Sequence, residues 1–177
     1  MINRIIKYTV LILILSIFQT VFFGQFLFLR VKPDLLLVLI IAVAFFSDGP
    51  EGLYIGLACG VFRDLAMTDT FGFYTILSVL AAAVTGMFNK RIFKDNVFLF
   101  SMIVLGISAA YEIASCILNM IHDFISGSSP MSLYGYLYYI RDYSVMTVIM
   151  NFLVSLVMFY LIKLMFFRKS LGMKEFA

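Results

Sequence analysis

The stretch VFLFSMIVLGISAAYEIASCILNMI, residues 97–121, carries a single formal charge, Glu112. The hydrocarbon core of a bilayer is about 30 Å thick and takes about 20 apolar residues per helical crossing. This stretch meets that length outright, and so do residues 5–29 and 144–167. The balance holds along the whole chain: of 177 residues 63% are hydrophobic and 13% charged, with a mean hydropathy of +1.06. Most charges fall between apolar segments rather than inside them. The pattern predicts an all-α fold, a polytopic transmembrane helical bundle whose solvent is lipid.

Working outward from that stretch, about six hydrophobic segments can be drawn, at residues 5–29, 34–47, 52–62, 72–88, 97–121 and 144–167. The second and third are short, reaching only about 21 Å and about 17 Å as helix. They flank Ser47-Asp48-Gly49-Pro50-Glu51-Gly52, a strong turn signal. The pair reads either as two short tilted crossings or as a re-entrant hairpin. No linker or composition shift divides the chain, so residues 1–177 read as one integral membrane domain with no room for a separate soluble catalytic domain.

Lys and Arg counts set the orientation. With the N-terminus inside and six crossings, Arg4, Lys7, Lys90, Arg91, Lys94, Lys163, Arg168, Lys169 and Lys174 lie on the inner side, against Arg30, Lys32, Arg63 and Arg141 outside. Nine against four predicts both termini in the cytoplasm. Removing two crossings preserves this parity. The net charge of +3 arises from these clusters at span ends, which argues against nucleic-acid binding. Arg4 and Lys7 precede an apolar run longer than a signal-peptide core and without a small-x-small cleavage pattern, so the first span reads as a retained anchor.

Chemistry-bearing residues are sparse. Cys59 and Cys116 sit inside apolar spans and read as small packing residues. The one histidine, His122, falls in a connection, which leaves neither a metal-ligand set nor a serine–histidine pair at membrane depth. No Gly-rich loop lies between a strand and a helix. The expectation is a protein with no cofactor, no metal and no catalytic group, hence not an enzyme.

Small residues recur instead at four-residue spacing: Gly52/Gly56/Gly60, Ser78/Ala82/Gly86 and Gly106/Ala110/Ala114. Each set lies on one helix face and lets a second backbone come close, either inside the bundle or on a partner's transmembrane helix. Polar residues form stripes too: Ser16, Gln19 and Thr20; Ser108, Glu112, Ser115 and Asn119; and Thr147, Asn151 and Ser155. Such groups are costly against lipid and should face one another or a partner. Glu112 is the clearest case, expected to pair with Arg63 or a polar cluster. Lys32-Pro33-Asp34 reads as a helix start, with Asp34 able to cap the helix that follows. Arg63-Asp64, ahead of Asp69 and Gly72, reads as a helix end with local ion pairing. The longest connection, 122–143, contains Tyr134, Tyr136, Tyr138, Tyr139 and Tyr143, and is expected along the outer membrane surface as an aromatic anchor or a docking surface.

These residues bear a family resemblance. Lys32-Pro33-Asp34-Leu35-Leu36-Leu37, then Asp48-Gly49-Pro50-Glu51-Gly52, then Gly56 and Gly60 followed by Arg63-Asp64-Leu65 with Gly72 beyond, is similar to the pattern of the rod shape-determining protein MreD family. Asn151 stands where that family tends to carry an asparagine in its last span. Arg63 departs from the pattern, since an uncharged residue is more usual before that aspartate. The resemblance implies a bacterial plasma-membrane scaffold of the cell-elongation machinery, working with MreC, the actin-like MreB filament, RodA and a penicillin-binding transpeptidase that builds sidewall peptidoglycan. Together with the polar stripes above, it marks Pro33, Asp34, Gly52, Gly56, Gly60, Asp64, Gly72, Glu112 and Asn151 as partner-binding or fold-critical. The family's fold is similar to the substrate-binding membrane subunits of energy-coupling-factor transporters. That likeness implies the alternative function, a vitamin-type binding subunit with a pocket lined by Glu112, Asn119, Asn151 and tyrosines.

Overall fold

The segment Leu35–Phe46, LLLVLIIAVAFF, has no polar side chain on any face. A helix apolar all round has no side to show to water and belongs at the centre of a bundle. In the structure, a computed structural model that describes residues 2–25, 31–47, 50–67, 72–88, 96–126 and 133–166, every residue of this helix is buried. The element order is α1 (Ile2–Gln25), α2 (Leu35–Phe46), α3 (Glu51–Met67), α4 (Phe73–Met87), α5 (Val97–Ser126), α6 (Leu133–Tyr139), a π-helical turn (Ile140–Ser144) and α7 (Val145–Phe166). The described residues contain helix and no strand. Helix α2 is the hub, packed against α1, α3, α4, α5 and α7.

The surrounding helices turn large apolar side chains outward. Ile14 and Ile17 on α1, Leu57 on α3, Leu80 on α4, Ile113 and Ile117 on α5, and Leu153 and Val157 on α7 are all exposed. In water this surface would be a large penalty; against acyl chains it is the matched surface. Two stretches, Val97–Ile125 and Ile140–Leu164, are long and apolar enough to cross a membrane, while Ile6–Val21, Leu35–Phe46 and Phe73–Met87 are shorter apolar helices. Inside, Phe45, Phe46, Phe100 and Phe159 form a ring cluster joining α2, α5 and α7, with centroid separations from 5.1 to 6.1 Å.

The helices follow the hydrophobic segments, with two corrections. Helix α3 runs on past residue 62 to Met67, so Arg63 and Asp64 lie within it, their charges met by Asp34 and by the start of α4. Helix α5 runs on to Ser126, and the tyrosine-rich segment is helical and continuous with α7 through the π turn, closed by the Val145 N–H to the Ile140 carbonyl. The expected 122–143 loop is thus mostly helix. The tyrosines alternate too closely with apolar residues to show a helical face in the sequence, and the π turn breaks the register between Tyr139 and Val145. The Gly127-Ser128-Ser129-Pro130 stretch, Arg30, Asp48, Gly49, Asp69 and the basic residues at 90–94 and 168–174 lie outside the described residues.

Candidate functional site

Two places in the bundle hold the residues singled out above: a polar cluster at one end, and the small-residue faces along α3, α4 and α5.

The end cluster starts from Asp34. Its Oδ1 accepts the Leu37 N–H at 2.9 Å, the N-cap geometry that satisfies an otherwise orphaned donor of α2. The same oxygen receives Arg63 from the end of α3 in a buried ion pair. Arg63 also donates to the Tyr111 hydroxyl on α5 at 2.7 Å. Asn151 on α7 accepts the Asp34 backbone N–H at 2.6 Å and donates to Ser108 at 3.3 Å. Four helices, α2, α3, α5 and α7, are thereby tied together at one residue, Asp34, with its charge compensated and hydrogen-bonded. Two expectations are corrected here. Arg63 pairs with Asp34, not with Glu112, and its pairing is long-range rather than local to the helix end. The reason is topological: α2 begins and α3 ends at the same end of the bundle, so opposite charges 29 positions apart meet. The departure at Arg63 thus comes with its own counter-ion.

Asp64, the neighbouring residue, does a different job. Its two oxygens accept the N–H groups of Tyr74 and Thr75 at 3.0 and 3.1 Å, and Oδ2 also accepts the Thr75 hydroxyl. It caps α4 from another helix. Gly72, the N-cap residue of α4, has φ +102°, the left-handed region where a Cβ is strained. Pro33 is buried beside Asp34.

Glu112 lies on a cavity of about 260 Å³ at this same end. Ser16, Gln19 and Thr20 from α1, Ser115 and Asn119 from α5, and Thr147 from α7 share its wall, with Tyr74, Tyr111 and Tyr139. The three polar stripes therefore do converge, two of them divided between the cavity and the clasps below it: Asn151 to Ser108, and Ser155 to Ser101 at 3.0 Å. Asn151 stands off the cavity wall, in the Asp34 clasp. Where the last long apolar stretch begins, Arg141 lies 5.4 Å from the ring of Tyr138, which precedes that stretch, and a hydrogen bond with Asp142 pushes the Tyr138 phenol above the usual tyrosine range.

The small-residue faces divide. A Cβ on Gly52 would lie 2.6 Å from Ala44 of α2, on Gly56 2.8 Å from the Ser78 carbonyl, and on Gly60 2.4 Å from the Thr75 Cα of α4. This face is closed inside the bundle. Ser78 and Ala82 are buried against it. By contrast, Gly106 has nothing within 4 Å of a built Cβ, and neither has Gly86. Gly106, Ala110 and Ala114 instead line an apolar lateral cleft of about 540 Å³ between α4 and α5, with Leu77, Leu80, Ala81 and Val84 on the opposite wall.

Tyr111 and Thr75 were missed from sequence. Tyr111 lies three residues after Ser108, on the face of the polar stripe, and its aromatic character concealed it. Thr75 is close to Gly72 in sequence, and a threonine near a helix start is an ordinary cap signal.

A bundle with a lipid-matched exterior, a charged clasp closing one end and small-residue helix faces defines a helical membrane protein. The chain belongs to the MreD family: the family model described as rod shape-determining protein MreD matches residues 2–170. It is a membrane protein of a family that determines rod shape. No curated protein and no solved structure matches it.

Proposed function

We propose that this protein is a non-enzymatic scaffold of the bacterial cell-elongation complex, in which the α4–α5 cleft receives the single transmembrane span of MreC. The supporting observation is the Gly106/Ala110/Ala114 face, apolar on both walls and open among the described residues. In lipid no hydrophobic effect draws helices together, so close backbone approach along small residues is what favours association. Through MreC the protein is linked to MreB, RodA and the penicillin-binding transpeptidase.

The chain crosses the plasma membrane several times with both termini in the cytoplasm. The Lys and Arg count supports this, and so does the level of the α2–α3 hairpin. At one end Asp34 and Arg63 line the same cavity as Gln19 and Thr20 of α1. At the other, Glu51 accepts the Tyr8 hydroxyl at 3.0 Å, one residue from Lys7. The hairpin thus runs alongside α1 down to its basic end, which favours two short crossings over a shallow re-entrant loop.

Affinity capture of MreC from native membranes tests the proposal. Gly106→Leu and Ala110→Leu fill the cleft; each is expected to keep the protein folded and to cut MreC recovery. Full recovery with both would refute the cleft as the docking face. The polar cavity favours one other reading, a vitamin-type substrate-binding subunit of an energy-coupling-factor transporter. A thermal-shift screen with vitamins separates the two, since a bound ligand stabilises the folded state by mass action.

A further inference from the structure

The cavity at the charged end has an unusual hydrogen-bond balance. Its serine and threonine hydroxyls have committed their protons to their own helices: Ser16 to the Ile12 carbonyl at 2.7 Å, Thr20 to the Ser16 carbonyl at 2.8 Å, Ser115 to the Glu112 carbonyl at 2.9 Å and Thr147 to the Tyr143 carbonyl at 3.0 Å. What remains for a guest is their lone pairs. The Gln19 Oε1 is buried and accepts no hydrogen bond. The carboxyl side chain of Glu112 stands on the same wall. The strongest donor there, Arg63, is already taken up by Asp34 and Tyr111. The cavity thus offers the Glu112 carboxyl, the Gln19 Oε1 and four hydroxyl lone pairs as acceptors, beside the donors of Lys32, Asn119, Tyr74 and Tyr139, and it sits among apolar helices where an unsatisfied acceptor is costly.

We infer that this cavity binds a primary ammonium group, with Glu112 as its counter-ion and Gln19 Oε1 as a second acceptor. An ammonium has three donors and no acceptor, the complement of the Glu112 carboxyl and the Gln19 Oε1. A carboxylate or phosphate placed against that pair would find acceptors facing acceptors. The rings of Tyr74 and Tyr139 on the wall favour a cation further. Lys32, exposed on the same wall, suits an anionic group at the other end of the guest. The ammonium is carried by a soluble amine or by an aminolipid headgroup; both offer the same chemistry. The inference is independent of the MreC docking proposal, because it uses the opposite side of α5.

The test uses the full chain in nanodiscs of phosphatidylglycerol, with ethanolamine as probe and its uncharged analogue ethylene glycol, and potassium chloride at equal ionic strength, as comparisons. Ethanolamine is expected to raise the unfolding temperature in a saturable way, and the two comparisons are not. Glu112→Gln, which keeps the shape, is expected to weaken the apparent affinity roughly tenfold or more, the scale of a lost charge-assisted hydrogen bond. Gln19→Leu is expected to weaken it less, and Asp123→Asn, outside the cavity, not at all. In nanodiscs containing phosphatidylethanolamine, loss of the ethanolamine response together with a lipid retained in native mass spectrometry assigns the ammonium to lipid; an unchanged response assigns it to a soluble amine. No shift in phosphatidylglycerol, an equal shift with ethylene glycol or potassium chloride, or an undiminished shift in Glu112→Gln and Gln19→Leu would each overturn the inference. Should Glu112→Gln fail to fold, the probe comparison and Gln19→Leu still decide it.

Discussion

Helices α3 and α5 carry the same sequence device and use it in opposite ways. Gly52, Gly56 and Gly60 recur every fourth residue on α3, as Gly106, Ala110 and Ala114 do on α5. On α3 a Cβ added at Gly60 would lie 2.4 Å from the Thr75 Cα, so the backbones of α3 and α4 meet there directly. On α5 a Cβ added at Gly106 meets nothing, and the face lines an open apolar cleft. Small spacing licenses close approach without saying whose backbone approaches. Within the bundle the approach is fixed by polar groups beside it: Asp64 holds the start of α4, and Arg63 holds the start of α2.

Five outcomes would break or sharpen that contrast. The largest effect is expected for Gly60→Leu. None of the three backbone atoms near the site, the Thr75 Cα and N and the Tyr74 carbonyl oxygen, yields cheaply, so the substitution should abolish recovery of monodisperse protein, as read by size-exclusion chromatography in detergent. Next is the buried ion pair. Asp34→Ala leaves a buried guanidinium unpaired and should cost about 3–5 kcal/mol, whereas Asp34→Leu combined with Arg63→Met should restore much of the loss. Thermal unfolding of the single and double variants gives the coupling directly, and additive losses would refute the pairing. Third, Asp64→Ala strands two helix-start N–H groups and should lower stability by about 1–2 kcal/mol, with lower yield or partner capture. Equality with wild type in both readouts would sink its assigned role. Gly72→Ala should cost about 1–2 kcal/mol through backbone strain alone, as no neighbour crowds the site. Smallest on the stability scale is Gly106→Leu, expected within about 0.5 kcal/mol of wild type, as for a surface position. Its effect belongs to partner capture.

Much of this was legible before any coordinates. Asp34 after a proline and ahead of an apolar run announced a capped helix, and it is one. The polar stripes on the first, fifth and last helices had to find each other, and they converge on the cavity and the clasps beneath it. Other features were hidden for physical reasons. Which small face closes and which stays open depends on the rotation of α4 between α3 and α5, and no local spacing encodes that. Arg63 was expected near Asp64 or Glu112, since proximity in sequence and charge are all that spacing offers. The Asp34 contact arises from the antiparallel return of α2 and α3. The tyrosine segment concealed its helix because its aromatic residues lie on no single face and a π turn interrupts the register.

The central claim, that the open face of α5 is where a partner's span lies, is tested most directly by a photo-crosslinking residue placed at Ala110, with Ile14 on the exposed face of α1 as the comparison. In native membranes position 110 is expected to yield a covalent adduct with MreC and position 14 none. An adduct of equal yield from both positions, or none from 110 while MreC still co-purifies, would contradict the account.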